Sequence, residues 1–204
     1  MVSRSVALKQ LFLLRSSVVD PLRLAADGWD SDWKTLIAIL LSARTRDEIT
    51  ISVCNVLFFK YSSLLDLSKA NVSVVESIVR RVNYYRTKAR HVVDCSRGIL
   101  HDFGGVVPQN FDSLTSLPGV GRKTANVFLS ECGVPSIGVD THVFRLSRKL
   151  GWSRGKTPVV VEGDLKKLFP RSAWSFVNES LVSFGRRYRS SEDEKLLNLG
   201  LIGS

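Results

Sequence analysis

No stretch of this sequence alternates apolar and polar residues in the manner of a half-buried strand, which argues against sandwiches and barrels. No apolar run approaches the roughly 18 residues that mark a membrane span. The longest, Leu36 to Leu41, has the length of a core segment. Cysteine is scarce: Cys54, Cys95 and Cys132 are odd in number and widely spaced, so no disulfide framework or zinc knuckle is readable. They read as small buried residues of a reducing compartment. Acid is scarce at the N-terminus, where Asp20 is the only acidic residue before Asp27. That Ser-, Arg- and Leu-rich stretch has a faint organelle-transit composition, which an amphipathic helix over Val6–Val18 explains better. Lys9 and Arg15 interrupt any secretory apolar core. Internal repeats and low-complexity linkers are absent as well.

What is present is apolar content and positive charge. The 204 residues are 44% hydrophobic, enough for one large domain or two small ones. Lys and Arg total 29 against 19 Asp and Glu, a formal charge of +10. Such a balance favours a polyanionic partner, nucleic acid ahead of an anionic membrane surface.

Apolar spacing is helical throughout, and the predicted class is all-α. A first helix ends near Asp20-Pro21, because proline restricts the residue before it. A second runs from Trp33 to Ala43, and a third follows with Asp47 or Thr45 as its cap. Ser62 to Ser68 reads as a short helix or turn, and Asn71 to Val79 as a helix. A longer helix emerges from the basic run Arg80–His91 and stops at Phe103-Gly104-Gly105. A short helix starts at Asn110 or Asp112. Others cover Arg122–Cys132, Asp140–Leu150, Val159–Leu168 and Ala173–Phe184.

Two places carry chemistry. The first is Leu117-Pro-Gly-Val-Gly-Arg-Lys-Thr-Ala-Asn126, in which Gly119 and Gly121 flank a valine just before a helix. Glycine permits a tight hairpin, and the free amides and positive dipole end of the next helix suit a phosphate. Lys123 falls in that helix's first turn. An amine nucleophile must be neutral, and a helix N-terminus disfavours an ammonium, so the position suits a Schiff-base lysine. A surface lysine touching phosphate fits equally well on position alone. The second place is Val139-Asp140-Thr141-His142. Asp140 is placed to cap a helix, and a carboxylate there can also stabilise positive charge on a sugar carbon or assist proton movement. Arg80, Arg81, Arg86, Lys88 and Arg90, interleaved with Tyr84-Tyr85, suit a nucleic-acid contact better than a merely solvated face.

These segments resemble the helix-hairpin-helix DNA glycosylases, and among them the endonuclease III type. The resemblance rests on Leu117–Asn126 and Val139–Arg145. Weaker similarity covers Leu36–Asp47, Tyr85–Ala89 and Val159–Tyr188. It implies two helical domains with a DNA-binding cleft between them: residues 25–135 as a helical barrel holding the hairpin, and residues 1–24 with 136–204 as the second. It implies a bifunctional glycosylase and abasic-site lyase acting on oxidised pyrimidines in double-stranded DNA. The enzyme is expected to be an intracellular monomer, in prokaryotic cytoplasm or nucleoid, without a membrane. Lys123 falls on the family's Schiff-base lysine and Asp140 on its essential aspartate. Gly119, Gly121 and Arg122 fall on its DNA-backbone clamp. Arg44 and Tyr84 fall where wedge or gap-filling residues stand, with Arg44 in place of the common glutamine. Arg86, Lys88, Arg186 and Arg187 are expected as further DNA contacts. The backbone carbonyls of Thr115, Leu117 and Val120 fall where the family holds Na+ or K+. Endonuclease III usually ends in four cysteines that hold an iron–sulfur cluster. Here Arg186-Arg-Tyr-Arg-Ser-Ser-Glu-Asp-Glu194 contains none, so no [4Fe–4S] cofactor is expected and the arginines are expected to supply contacts instead. Other specificities on the same fold (alkylated purine, 8-oxoguanine, mismatched thymine) and a non-catalytic DNA-binding hairpin protein are the alternatives.

Overall fold

The computed structural model describes residues 1–18, 23–188 and 191–201, apart from the side chains of residues 192, 194 and 197. Among them all regular structure is helical, and the fold is all-α in two helical domains. In chain order the α-helices are α1 (Arg4–Ser17), α2 (Asp32–Ser42), α3 (Asp47–Lys60), α4 (Leu64–Ser68), α5 (Val72–Val79) and α6 (Tyr85–Phe103). They continue with α7 (Phe111–Ser116), α8 (Arg122–Glu131), α9 (Thr141–Lys149), α10 (Pro158–Leu168), α11 (Trp174–Arg187) and α12 (Glu192–Asn198). A 3-10 turn over Arg171–Ala173 precedes α11.

The chain divides into two compact units. A central unit spans Arg23–Cys132, and a terminal unit joins Met1–Leu22 to Gly133–Ser204. In the central unit α2 is apolar all round from Leu36 to Leu41, and all of that stretch is buried. Helix α6 lays Val92, Val93, Cys95 and Ile99 into the same core. Phe58 of α3 is met edge-on by Trp29 and Trp33, at centroid distances of 4.9 and 5.4 Å.

The terminal unit holds the two ends of the chain together through buried polar contacts. Trp152 is fully buried, and its indole N–H donates to Gln10 Oε1 at 2.6 Å. The Gln10 amide in turn donates to the Leu201 carbonyl at 2.9 Å. Arg4 donates to the carbonyls of Leu168 and Lys167, the last of α10. Those carbonyls are among the four a helix end leaves unpaired, and an arginine is well suited to satisfy them.

Several boundaries differ from expectation for local reasons. Helix α1 begins at Arg4 because the Ser3 hydroxyl accepts from Val6 N–H. Its expected end at Asp20-Pro21 lies outside the described residues. Neither Asp47 nor Thr45 caps α3; Arg46 is the N-cap, and the Thr45 hydroxyl instead accepts from Asn83 N–H at 3.1 Å. The basic run does not enter α6 smoothly. Residues 80–84 form turns, and Tyr84 stands left-handed at φ 59° immediately before the helix. Ser62 lies outside α4, which starts at Leu64 behind the Ser63 cap. Helix α12 arises from a tail read only as charged.

Candidate active site

The hairpin lies wholly within the central unit. Leu117 and Val120 are buried, and Val120 N–H donates to the Leu117 carbonyl at 3.1 Å, closing the turn around Pro118-Gly119. Gly119 has φ +78°, and a Cβ there would stand 2.6 Å from His91 Cβ on α6. Glycine is therefore required twice over, by conformation and by space. Gly121 is the N-cap of α8 and offers its first turn no side-chain hydrogen bond, and that turn contains no acidic residue. The amides and the positive dipole end are thus presented to an anion. Arg122 is exposed, its guanidinium 4.9 Å from the Phe111 ring centroid on the facing helix α7. Lys123 is half-buried in the first turn of α8. The carbonyls of Thr115, Leu117 and Val120 belong to the end of α7 and the turn after it. As neutral oxygens they are of the donor type that suits a hard cation.

Asp140 belongs to the terminal unit and caps α9. Its Oδ1 accepts from His142 N–H at 2.9 Å and from Val143 N–H at 2.8 Å. Oδ2 takes no part in the cap. Capping thus orients the carboxylate without using both oxygens. A groove of about 980 Å³ opens beside it, lined by Val139, Phe144, Arg145, Arg148, Ser153 and Arg154 among others. Behind α9, Gly185 of α11 leaves room for His142: a Cβ at Gly185 would meet His142 Nδ1 at 2.5 Å.

The remaining sites separate into outward and inward groups. Arg44 and Tyr84 are exposed and meet each other: Arg44 Nη1 donates to Tyr84 Oη at 3.0 Å, and the guanidinium lies 5.4 Å from the ring centroid. Arg86 is exposed, 5.3 Å from the Tyr85 ring. Arg186 and Arg187 occupy the last turn of α11, where cations complement the helix dipole; Arg187 is exposed and Arg186 half-buried. Arg189 lies outside the described residues. Lys88 corrects the expectation of a surface cation. Only 7% of it is exposed, and its ammonium donates to the carbonyls of Leu41 and Ala43 at 2.7 and 2.6 Å. Those carbonyls stand at the end of α2, where the negative end of the helix dipole favours a cation.

Residues 37–171 match the model of the HhH-GPD superfamily of base excision DNA repair proteins. The chain belongs to this superfamily. It is 42% identical to the endonuclease III of Thermotoga maritima over 156 residues, 76% of this chain and 73% of that protein. Endonuclease III of Bacillus subtilis is 37% identical over 172 residues, 83% of this chain and 78% of that one. A solved structure of a trapped endonuclease III–DNA covalent intermediate superposes with a TM-score of 0.86 at 33% identity, covering 94% of this chain and 90% of that one.

The donor set of this HhH-GPD chain does not fit an iron–sulfur cluster. Four thiolates are needed, and the chain has three cysteines, all within the first 132 residues. Cys54 and Cys95 are buried on α3 and α6, and burial pushes both thiols up to about 12, so they stay protonated. Among the described residues no three His, Cys, Asp or Glu side chains gather in a way that could hold a metal ion, and no helix is long and apolar enough to cross a membrane. Sequence reasoning missed the contacts of Asn83, Thr45, His91 and His142. Asn83 bonds the Arg44–Thr45 loop, and the two imidazoles fill the space beside Gly119 and Gly185, partners distant in the chain for which no local signal exists.

Proposed function

We propose that this HhH-GPD protein is a bifunctional DNA glycosylase and abasic-site lyase that excises oxidised pyrimidines from double-stranded DNA. The observation that carries the reading is Lys123, half-buried in the first turn of α8 directly after a hairpin whose helix start is open to phosphate. The relatives named endonuclease III, one of them trapped covalently on DNA, support the same chemistry.

In this reading the hairpin amides at Gly119 and Gly121, with Arg122, grip a phosphate and set the sugar against Lys123. Lys123 Nζ attacks C1′ as the glycosidic bond breaks and the base leaves with the bonding electrons. Asp140 stabilises the positive charge that develops on the sugar and takes part in proton movement. The amine then loses its proton as the sugar ring opens to an imine. The imine acidifies the C2′ proton; its loss expels the 3′ phosphate by β-elimination. Water finally releases Lys123. Arg44 and Tyr84 fill the space the flipped nucleotide vacates. Arg86, Arg186 and Arg187 meet backbone phosphates. The carbonyls of Thr115, Leu117 and Val120 would hold Na+ or K+, which supplies positive charge beside the bound phosphate. The central unit acts as the barrel domain with the hairpin, the terminal unit as the domain that brings Asp140, and the protein works as an intracellular monomer without an iron–sulfur cofactor.

A panel of duplexes tests the substrate. Nicking of thymine-glycol DNA well above nicking of alkylated-purine, 8-oxoguanine and mismatched-thymine duplexes supports the reading. Preference for one of the others replaces the substrate while keeping the lyase.

A further inference from the structure

Among the described residues, Arg44 at φ 57° and Tyr84 at φ 59° are the non-glycine residues with left-handed backbones. They sit on two loops of the central unit, between α2 and α3 and before α6, and they touch each other. A left-handed arginine and a left-handed tyrosine persist only where surrounding structure over-determines them. That structure is visible. The Asn83 side-chain amide donates to the Arg44 carbonyl, and Asn83 N–H donates to Thr45 Oγ1 at 3.1 Å. Beneath both loops lies the Lys88 ammonium, which donates to Leu41 O at 2.7 Å, Ala43 O at 2.6 Å and Thr45 Oγ1 at 3.4 Å.

We propose that Lys88 is a positioning residue whose buried ammonium, with Asn83, clamps the Arg44 loop onto the start of α6 so that Arg44 and Tyr84 enter the duplex as one preformed wedge. The ammonium has three donors, and the clamp uses them on three acceptors that follow one another closely along one loop. Those acceptors include the last carbonyls of α2, whose negative dipole end holds the cation. The clamp fixes the direction in which the chain leaves α2, and hence the backbone of Arg44. Lys88 reaches neither DNA nor the reacting sugar; it acts through Arg44 and Tyr84. A preformed wedge spares the cost of ordering two exposed loops when the gap in the base stack opens.

This inference rests on the proposed glycosylase reading, and the test separates the two. A preformed abasic site is presented to the protein in duplex DNA, where a wedge is needed, and in a single strand, where no stack has to be held open. Borohydride trapping is measured on both for the wild type, Lys88→Met and the milder Thr45→Val. The proposal predicts that both variants trap single-stranded DNA at the wild-type rate. On the duplex, Lys88→Met should trap at least about tenfold more slowly, as for a lost charged hydrogen bond, and Thr45→Val should fall between. Equal losses on both substrates would mean a purely structural lysine and overturn the proposal, as would no loss on either. Should Lys88→Met fail to fold, Thr45→Val decides alone, by the same ratio. If the wild type itself trapped neither substrate, the lyase reading would fail instead.

Discussion

His91 Cβ occupies the space that a Cβ on Gly119 would need, at 2.6 Å. Helix α6 and the hairpin are thus packed against each other with no room for a single methyl group. Gly119→Ala has to overcome this contact and also adopt φ +78°. It is expected to lower unfolding stability by about 1–3 kcal/mol and to weaken DNA binding. Gly121 is the internal control, with φ −87° and nothing within 4 Å of its virtual Cβ. Gly121→Ala should unfold within about 1 kcal/mol of the wild type yet lose DNA affinity, because its methyl group stands where phosphate approaches. Urea unfolding and DNA titration together check both variants.

Asp140 can be separated into cap and catalyst. Asparagine caps a helix about as well as aspartate, because its side-chain oxygen accepts the same two amides. Asp140→Asn should therefore unfold at the wild-type denaturant concentration while excision falls by a factor of about 100 or more. Asp140→Ala loses the cap too, and should be less stable by about 0.5–2 kcal/mol. Equal activity of the wild type and Asp140→Asn would reduce this residue to a cap.

The salt dependence of DNA binding distinguishes surface cations from the buried one. Removing a phosphate contact lowers the slope of log K against log salt by about one. Arg86→Ala and Arg187→Ala are each expected to do so. Lys88→Met is not, since its ammonium is spent on carbonyls inside the central unit.

Lys88 also predicts two pH effects of opposite sign. Burial holds its ammonium down to about 8, from an ordinary 10.5. Between those values the unfolded chain keeps the proton and the native chain has lost it. Wild-type stability should therefore rise relative to Lys88→Met as pH climbs from 8 to 10.5. The clamp needs the ammonium, so the duplex-to-single-strand trapping ratio should fall across the same window. Along the chain, the charged and titratable neighbours of the clamp are Arg44, Arg46 and Asp47 on the loop and start of α3, and Arg86, Arg90 and His91 on α6. Thermal melts and trapping from pH 7 upward measure the two effects.

The sequence made the helices and the hairpin legible because each announces itself locally. Leu36 to Leu41, the Gly104-Gly105 stop and the Asp140 cap all act within a turn or two of their own position. The inward turn of Lys88 was illegible. A lysine flanked by Arg86 and Arg90 reads as part of a solvated face, and only the carbonyls of Leu41 and Ala43, far back in the chain, give it a reason to be buried. The same holds for His91 and His142, whose neighbours are glycines in the hairpin turn and on α11. The place of Lys123 in a helix's first turn was legible, while its partial burial required the fold.

The central claim is that Lys123 is the nucleophile, and borohydride trapping tests it most directly. Duplex DNA bearing an abasic site is incubated with the wild type and with Lys123→Gln, and covalent protein–DNA adduct is measured. The account predicts an adduct with the wild type and none with Lys123→Gln, although the variant binds the same DNA. An adduct that persists in Lys123→Gln would contradict it.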